Sequence, residues 1–307
     1  MDGTTLPEQA VSDPAADRTN KDMAIFSADD VQSSAKRAAS EAAPWIGRLA
    51  RLGFAAKGLV YLIIGGLALQ AALGVGGQTT DSGGALRAIL RQPYGWVLLG
   101  IVAVGLAGYA IWRFVQAGMD PEGTGGNSKR IAKRVGYAIS GAIHAGLALE
   151  AARMAFGFGF GSGGGGDSGP QDWTALVLAQ PLGRWIVSAV GLGIAAFGLV
   201  ELVRAYRTDL PKQLDLGQLG SSARLWVVRF GRMGLAARGV VFGVIGSLLI
   251  QAALNYDSSQ ARGLGGALES LHEQMYGRWL LGLVATGLIA YGLFELVQAR
   301  YRRIDVS

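Results

Sequence analysis

Six stretches of the chain carry no charged residue, and their lengths define the architecture. They are residues 58–80, 92–112, 135–149, 185–200, 239–256 and 279–294. A helix needs roughly 20 apolar residues to cross a hydrocarbon core of about 30 Å, and the first, second and fifth stretches meet or approach that length. The others extend to it only across Glu150, Glu201 and Glu295. The pattern predicts six transmembrane helices, near residues 52–74, 94–117, 134–157, 183–205, 233–255 and 277–300.

The first 44 residues differ from the rest of the chain. They are acidic and poor in apolar residues, which predicts a disordered tail without a secretory signal. A short surface helix is predicted over residues 28–43, capped by Ser27 and ended by Pro44. The segment that follows, from Trp45 to Leu49, is either an aromatic and cationic anchor at the membrane interface or a plain linker.

The loops between the spans also show a pattern. Residues 84–91 and 265–276 have helical spacing, so interfacial helices are predicted there. The glycine-rich segment 157–169 is predicted to be a flexible loop.

Lysine and arginine are unevenly divided between the two sides of the predicted membrane. Twenty lie near the termini and the loops that share their side: Lys36, Arg37, Arg48, Arg51, Lys57, Arg113, Lys129, Arg130, Lys133, Arg134, Arg204, Arg207, Lys212, Arg224, Arg229, Arg232, Arg238, Arg300, Arg302 and Arg303. Five lie near the opposite loops: Arg87, Arg91, Arg184, Arg262 and Arg278. Positive residues concentrate on the cytoplasmic side, which predicts a multi-pass protein of the cell (inner) membrane with both termini cytoplasmic. The formal charge of +6 then reflects topology, with attraction to anionic lipid, and no nucleic-acid partner is expected.

The chain repeats itself three times. The segment Arg51-Leu-Gly-Phe-Ala-Ala-Lys-Gly58 recurs as residues 134–141 and again as residues 232–239. In the second helix of each hairpin, Tyr109 recurs as Phe197 and Tyr291, and the glycines recur as three matched pairs: Gly95 and Gly105, Gly183 and Gly193, Gly277 and Gly287. Two-helix repeats begin and end on one side of the membrane and therefore share one orientation.

The predicted fold class is consequently an all-α membrane protein of six transmembrane helices, in three tandem hairpins with pseudo-threefold symmetry about the membrane normal. The predicted organisation is a tail over residues 1–44, followed by repeat 1 (45–120), repeat 2 (130–207) and repeat 3 (224–303).

This pattern resembles a bacterial membrane-protein family, domain-of-unknown-function family 1206. The order, number and spacing of the Arg-x-Gly-x-Ala openings carry the resemblance over roughly residues 48–303. Repeat 2 departs most, because His144 stands where the other repeats have Tyr61 and Phe242. The resemblance implies an integral membrane protein and carries over no activity and no site residues.

Composition narrows the chemistry further. No cysteine and only two histidines are present, which excludes disulfides, thiolate sites and multi-histidine metal sites. His272 with Glu269 and Glu273 is weak support for a metal. No nucleophile or paired-carboxylate pattern stands out, so we expect neither an enzyme nor a cofactor.

Charged residues inside the spans are the main candidates, because burying each one costs about 2.5 kcal/mol or more. Equivalent positions form two rings, one of Lys57, Ser140 and Arg238, and one of Arg113, Glu201 and Glu295. Arg238 can pair with Glu295 inside repeat 3. Glu201 lacks a base in its own repeat, and the hypothesis is a salt bridge from Glu201 to Lys57 or Arg113 of repeat 1. Separate snorkelling of each charge to the headgroups is the alternative.

The remaining candidates lie on the third span. Glu150 and Arg153, three residues apart, can pair on the helix surface, although Glu150 could instead face a polar cavity. His144 is interpreted as an aromatic packing residue, with a proton relay as the alternative. Glycines along the spans, such as Gly58 and Gly65, are interpreted as points of close helix approach.

The expected function is therefore a non-enzymatic membrane protein with a structural, regulatory or assembly role. The alternatives are a small-solute or ion conduit along the pseudo-threefold axis and a lipid-handling enzyme at the interface. An apolar, glycine-rich lining at mid-depth makes the conduit less favoured.

Overall fold

The computed structural model describes residues 28–119, 127–157, 169–207, 214–215, 217 and 220–302. Within these ranges the α-helices are α1 (Ala28–Leu73), α2 (Ser82–Leu90), α3 (Gly95–Met119), α4 (Asn127–Phe156), α5 (Gly169–Leu178), α6 (Gly183–Arg207), α7 (Ser221–Asn255), α8 (Leu264–His272) and α9 (Gly277–Tyr301). A 3-10 turn covers Ser258–Gln260. Residues 45–305 form one compact unit, which contains the six long apolar segments.

Six of these helices are long and apolar enough to cross a membrane, as predicted. The spanning segments are Gly47–Leu73 of α1, Gly95–Gly118 of α3, Ile131–Phe156 of α4, all of α6, all of α7 and all of α9. Helices α4 and α7 begin earlier than predicted, at residues 127 and 221 instead of 134 and 233. The added turns are basic and contain no proline, so charge ends the apolar pattern there without ending the helix.

Helix α1 differs most from its prediction. A helix over residues 28–43 is present, but it does not end at Pro44 and continues to Leu73. Proline fixes a φ that suits a helix but removes one backbone donor and crowds the preceding turn, so the sequence predicted an end where the helix in fact continues. The proposed cap at Ser27 and the tail before it lie outside the described residues.

Short helices connect the spans on the side of the loops after α1, α4 and α7. Helices α2 and α8 fall where interfacial helices were predicted, and Asp81 caps α2 by accepting a hydrogen bond from the Gly84 amide at 2.7 Å. Helix α5 was not predicted, because it follows the glycine-rich run directly. Its first turn carries Pro170, and proline favours a helix start.

The two spans of repeats 1 and 3 pack tightly against each other. A Cβ atom added to Gly53 of α1 would lie 2.5 Å from the Cβ of Tyr109 in α3, and one added to Gly234 of α7 would lie 2.6 Å from the Cβ of Tyr291 in α9. The equivalent Gly136 of repeat 2 has no heavy atom within 4 Å of such a position. Helices α4 and α6 are also the least buried of the six spanning segments. Repeat 2 is thus held mainly by its neighbours, α4 by α3 and α6 by α7.

Neighbouring repeats meet through equivalent glycines. A Cβ atom on Gly58 of α1 would lie 3.1 Å from the Leu296 side chain of α9. One on Gly239 of α7 would meet Leu202 of α6, and one on Gly141 of α4 would meet Phe114 of α3. Leu296, Leu202 and Phe114 occupy matching positions in the three repeats.

These contacts confirm the packing interpretation of the glycines. They also show that all three repeats run in one direction, because an inverted repeat could not form equivalent contacts at equivalent positions. The rotation angle of the pseudo-threefold axis stays a prediction.

Candidate functional site at the repeat interfaces

Three aromatic pairs mark the interfaces between repeats. Tyr109 of α3 packs on His144 of α4 with ring centroids 4.5 Å apart. Phe197 of α6 packs on Phe242 of α7 at 5.1 Å, and Tyr291 of α9 packs on Tyr61 of α1 at 4.8 Å. Each interface therefore joins the second span of one repeat to the first span of the next, and α9 closes the cycle on α1.

Lys57 and Glu295 form a buried ion pair one turn from the Tyr291–Tyr61 contact. The ammonium of Lys57 lies 2.9 Å from Glu295 Oε1, and the two side chains are 7% and 1% exposed. The ammonium also donates to the hydroxyl of Tyr291 at 2.7 Å and to that of Tyr109 at 3.3 Å. A charge removed from water requires this kind of enclosure, because an unpaired charge in low dielectric is costly.

Glu201 and Arg238 form the equivalent contact between repeats 2 and 3. Arg238 Nη1 lies 3.7 Å from Glu201 Oε2 and donates to the Tyr291 hydroxyl at 2.8 Å. Glu201 Oε1 accepts from Arg204 at 3.0 Å, one turn along α6.

Two predicted pairings are therefore wrong. Glu201 pairs with Arg204 and with Arg238 of repeat 3 in place of Lys57 or Arg113 of repeat 1. Glu295 pairs with Lys57 of repeat 1, and the pairing of Arg238 with Glu295 inside repeat 3 does not occur. The two rings lie at the same level, as predicted, since Lys57 meets Glu295 and Arg238 meets Glu201. The repeat that supplies each partner was predicted wrongly.

At the third interface, between repeats 1 and 2, neither ring position holds an acid. Ser140 of α4 stands at the position of the basic residues, and Arg113 of α3 stands at the position of the carboxylates. The Arg113 guanidinium donates to the Tyr109 hydroxyl and, at 2.9 Å, to Gln116 Oε1. It also lies 5.2 Å from the ring centroid of Tyr137. Neutral acceptors and an aromatic face replace the carboxylate there.

The ring residues Lys57, Arg113, Glu201, Arg238 and Glu295, with Tyr61, Tyr109 and Tyr291, form one polar cluster. In the described part of the chain no ion pair joins His144, Glu150 or Arg153 of α4 to this cluster. The ring of His144 packs on Tyr109, and its Nδ1 lies 2.8 Å from the Ser140 carbonyl oxygen, in agreement with the packing interpretation. Among the described residues no ion pair joins Glu150 to Arg153, so that prediction is wrong. Glu150 Oε1 is buried without a hydrogen bond.

Three tyrosines of the cluster were not predicted as site residues. Tyr61, Tyr109 and Tyr291 bring ring faces or hydroxyls to the buried cations. The sequence did carry the signal, since Tyr109 and Tyr291 hold the same repeat position one turn before Arg113 and Glu295. Tyrosine is the natural companion of a buried cation, because it offers both an acceptor and a π-face.

The chemistry of the cluster is that of internal pairing. Its cations bond to carboxylates, hydroxyls and an amide of the same bundle, and the part of the chain that the structure describes holds no group of three or more metal-ligating side chains. These contacts join neighbouring repeats at the level of the two rings of equivalent positions.

Comparison with known proteins adds a family and a relative. The sequence profile described as Domain of Unknown Function (DUF1206) matches three times, at residues 52–120, 135–208 and 233–302. The chain is 37% identical over 264 residues to "Uncharacterized protein YxxB" of Bacillus subtilis (strain 168). This match covers 86% of this chain and 94% of that protein. No solved structure matches the chain. The three profile matches fall on α1–α3, α4–α6 and α7–α9, and each begins inside the first helix of its repeat.

Proposed function

Because the chain belongs to the DUF1206 family and carries three copies of its two-helix unit, we propose that it is a non-enzymatic protein of the bacterial cell membrane. Its role in this proposal is structural, regulatory or in assembly: a stable six-helix bundle that presents its surfaces to lipid and to other membrane proteins. The six apolar helices and the three family matches make it an integral membrane protein of three repeats.

The observation that carries the proposal is the enclosure of Lys57. Its ammonium bonds to Glu295, Tyr291 and Tyr109, from repeats 3 and 1, and its side chain is 7% exposed. A conduit along the repeat axis needs polar groups that exchange partners with a passing solute. Here the polar groups at the junction of the repeats bond to one another. This favours a set of contacts that holds the repeats together, called the lock below, and disfavours the lining of a pore.

The proposal extends to the surroundings of the bundle. The excess of lysine and arginine on one side supports an orientation with both termini in the cytoplasm. The same residues provide an electrostatic attraction for anionic headgroups. We place the protein in the cell membrane on these grounds, with lipids as its general partners and without nucleic acid.

Reconstitution distinguishes the lock from a conduit. The full chain is placed in liposomes loaded with a pH-sensitive dye, a potassium reporter and a small fluorescent solute. The lock predicts flux equal to that of protein-free liposomes, both for the wild type and for the double variant Lys57→Met/Glu295→Gln. Wild-type flux above that background, lost in the double variant, would contradict the proposal and favour the conduit.

A further inference from the structure

A polar cavity lies at the end of the bundle where α1 leads into α2. Its volume is about 680 Å³, within the range of small-molecule sites. It is separate from the buried ion pairs, since none of the cluster residues lines it. All three repeats contribute to its wall: Gln78 and Thr79 from repeat 1, Gln171 from repeat 2, and Arg262, Glu269 and His272 from repeat 3.

Contacts between loops hold this wall together. Thr79 Oγ1 donates to Glu269 Oε2 and so ties repeat 1 to α8. Gln171 Nε2 of α5 donates to the Ser259 carbonyl oxygen at 3.3 Å and ties repeat 2 to repeat 3. The cavity therefore exists only in the assembled bundle, because each repeat supplies part of it.

The charged side of the cavity follows one face of α8 and the residues before it. Gly266, Glu269 and His272 are spaced by three residues, which places them along one face of α8. Arg262 lies two residues before the helix and lines the same cavity. Gly266 leaves room for Arg262, whose side chain a Cβ atom at that position would meet.

Repeat 1 shows that the fold does not require these charged residues. Its segment Gly83-Gly84-Ala85-Leu86 matches residues 265–268, and the same alignment places Thr80 opposite Arg262 and Leu90 opposite His272. Helix α2 packs in the same kind of position with a different polar set. The combination of Arg262, Glu269 and His272 is thus specific to repeat 3, and a ligand can account for it.

The polar atoms of this face are available for binding. Within the described ranges Arg262 has no ion pair or hydrogen bond, and Nδ1 of His272 is buried without a hydrogen-bond partner. Glu269 has one oxygen fixed by Thr79, which orients its carboxylate. The site offers one cation and one anion, so its charges match a ligand that carries both signs.

We propose that this cavity binds a small zwitterion, whose oxyanion group pairs with Arg262 and whose ammonium group pairs with Glu269. A guanidinium recognises phosphate or carboxylate through two parallel hydrogen bonds, and the carboxylate neutralises the ammonium at the other end. The amides of Gln78 and Gln171 and the imidazole of His272 supply further hydrogen bonds. A free aminoalkyl phosphate and the headgroup of an aminophospholipid both carry this pair of groups.

Calorimetric titration of the full chain in detergent tests the proposal. The probe is phosphoethanolamine, with inorganic phosphate and ethanolamine as its two halves. The wild type is expected to bind phosphoethanolamine more tightly than either half. Arg262→Met and Glu269→Gln should each weaken that binding about tenfold or more, as expected for the loss of a hydrogen bond to a charged group. Glu269→Gln should not weaken the binding of inorganic phosphate, because the substitution removes a negative charge near the anion.

Matched variants control for changes in fold. Glu273→Gln and Arg278→Met alter exposed residues of the same region that do not line the cavity, and they should bind phosphoethanolamine as the wild type does. All variants should elute and unfold as the wild type does in the absence of probe. A site with a dissociation constant of about 1 mM would be nearly filled at about 10 mM phosphoethanolamine. Absence of wild-type binding at that concentration would overturn the proposal. So would equal losses in the control variants, or phosphate binding equal to phosphoethanolamine binding.

Lipid discs then identify the source of the zwitterion. Native mass spectrometry of the protein from discs of phosphatidylethanolamine or phosphatidylglycerol should show retained aminophospholipid if the headgroup is the ligand, with retention lost in Arg262→Met. Equal retention of both lipids with phosphoethanolamine still bound in solution supports the free zwitterion. Binding here is independent of the flux measurement, so the cavity and the lock can fail separately.

Discussion

Each charged residue of the two rings is matched by a partner from an adjacent repeat or by a tyrosine. Glu201 shows the two kinds of partner together: Arg204 is 46% exposed, whereas Arg238 is 13% exposed and also contacts Tyr291. Arg204 hydrogen-bonds to Glu201 Oε1 at 3.0 Å from the solvent side, and Arg238 lies 3.7 Å from Glu201 Oε2. The buried carboxylate therefore depends on one cation of its own helix and on one across the repeat interface.

A double-variant cycle at Lys57 and Glu295 tests the lock. Lys57→Met leaves a carboxylate buried without its ion-pair partner, which costs about 3–5 kcal/mol. The double variant Lys57→Met/Glu295→Gln removes both charges and should recover much of that loss. Tyr109 keeps Arg113 and Tyr291 keeps Arg238 as donors in both variants. Thermal unfolding in detergent gives the order wild type, double variant, single variant.

Arg207→Ala is the control for that cycle, since it removes an exposed charge of α6 outside the two rings and should change the free energy of unfolding by about 0.5 kcal/mol or less. A single variant at Lys57 that is as stable as the double variant would mean that the charges are solvated separately, as in the snorkelling alternative.

At the scale of the helices, glycines separate repeats 1 and 3 from repeat 2. Gly53, Gly136 and Gly234 hold one repeat position, and the sequence alone predicts one role for all three. Only in repeats 1 and 3 does the partner helix lie against this position. Sequence similarity does not determine how far apart two helices stand, because that distance depends on contacts with other repeats.

Alanine substitutions measure this difference between repeats. Gly53→Ala and Gly234→Ala place a methyl group 2.5 to 2.6 Å from the facing tyrosine, and overpacking of this kind costs about 1–3 kcal/mol. Gly136→Ala meets no atom within 4 Å and gains up to about 1 kcal/mol in helix propensity. Thermal unfolding should therefore show two destabilised variants and one that is neutral or stabilised. Equal destabilisation of all three would show that α4 and α6 close against each other as the other hairpins do.

The spans, the repeats and the depth of the charges could all be predicted from sequence. Apolar length defines the spans, and internal alignment places Lys57 level with Arg238 and Glu201 level with Glu295. The partner of each charge could not be predicted, because three hairpins can follow one another around an axis in either of two directions. The observed direction places α3 beside α4, α6 beside α7 and α9 beside α1, and this pairs Lys57 with Glu295.

At the scale of the whole molecule, the parallel repeats restrict how the chain can sit in the membrane. Each first span brings its basic position to the last turns of a neighbouring second span, as with Lys57 and Glu295. The starts of the three first spans, Gly47 in α1, Ile131 in α4 and Ser221 in α7, therefore lie at one end of the bundle, and α2, α5 and α8 lie at the other. Lysine and arginine are concentrated at the first end, and by the positive-inside tendency we propose that this end faces the cytoplasm.

Reporter fusions in the intact cell test this orientation. Alkaline phosphatase, which is active only outside the cytoplasm, should be active when fused after residues 80, 165 and 260 and inactive when fused after residue 215. Fluorescent-protein fusions at the same four sites should give the opposite pattern and serve as the control for expression. Activity at 215 with inactivity at the other three would reverse the orientation while leaving the bundle intact. A different result at 165 alone would contradict the bundle itself, because an inverted middle repeat could not place Glu201 beside Arg238 and His144 beside Tyr109 at equivalent interfaces.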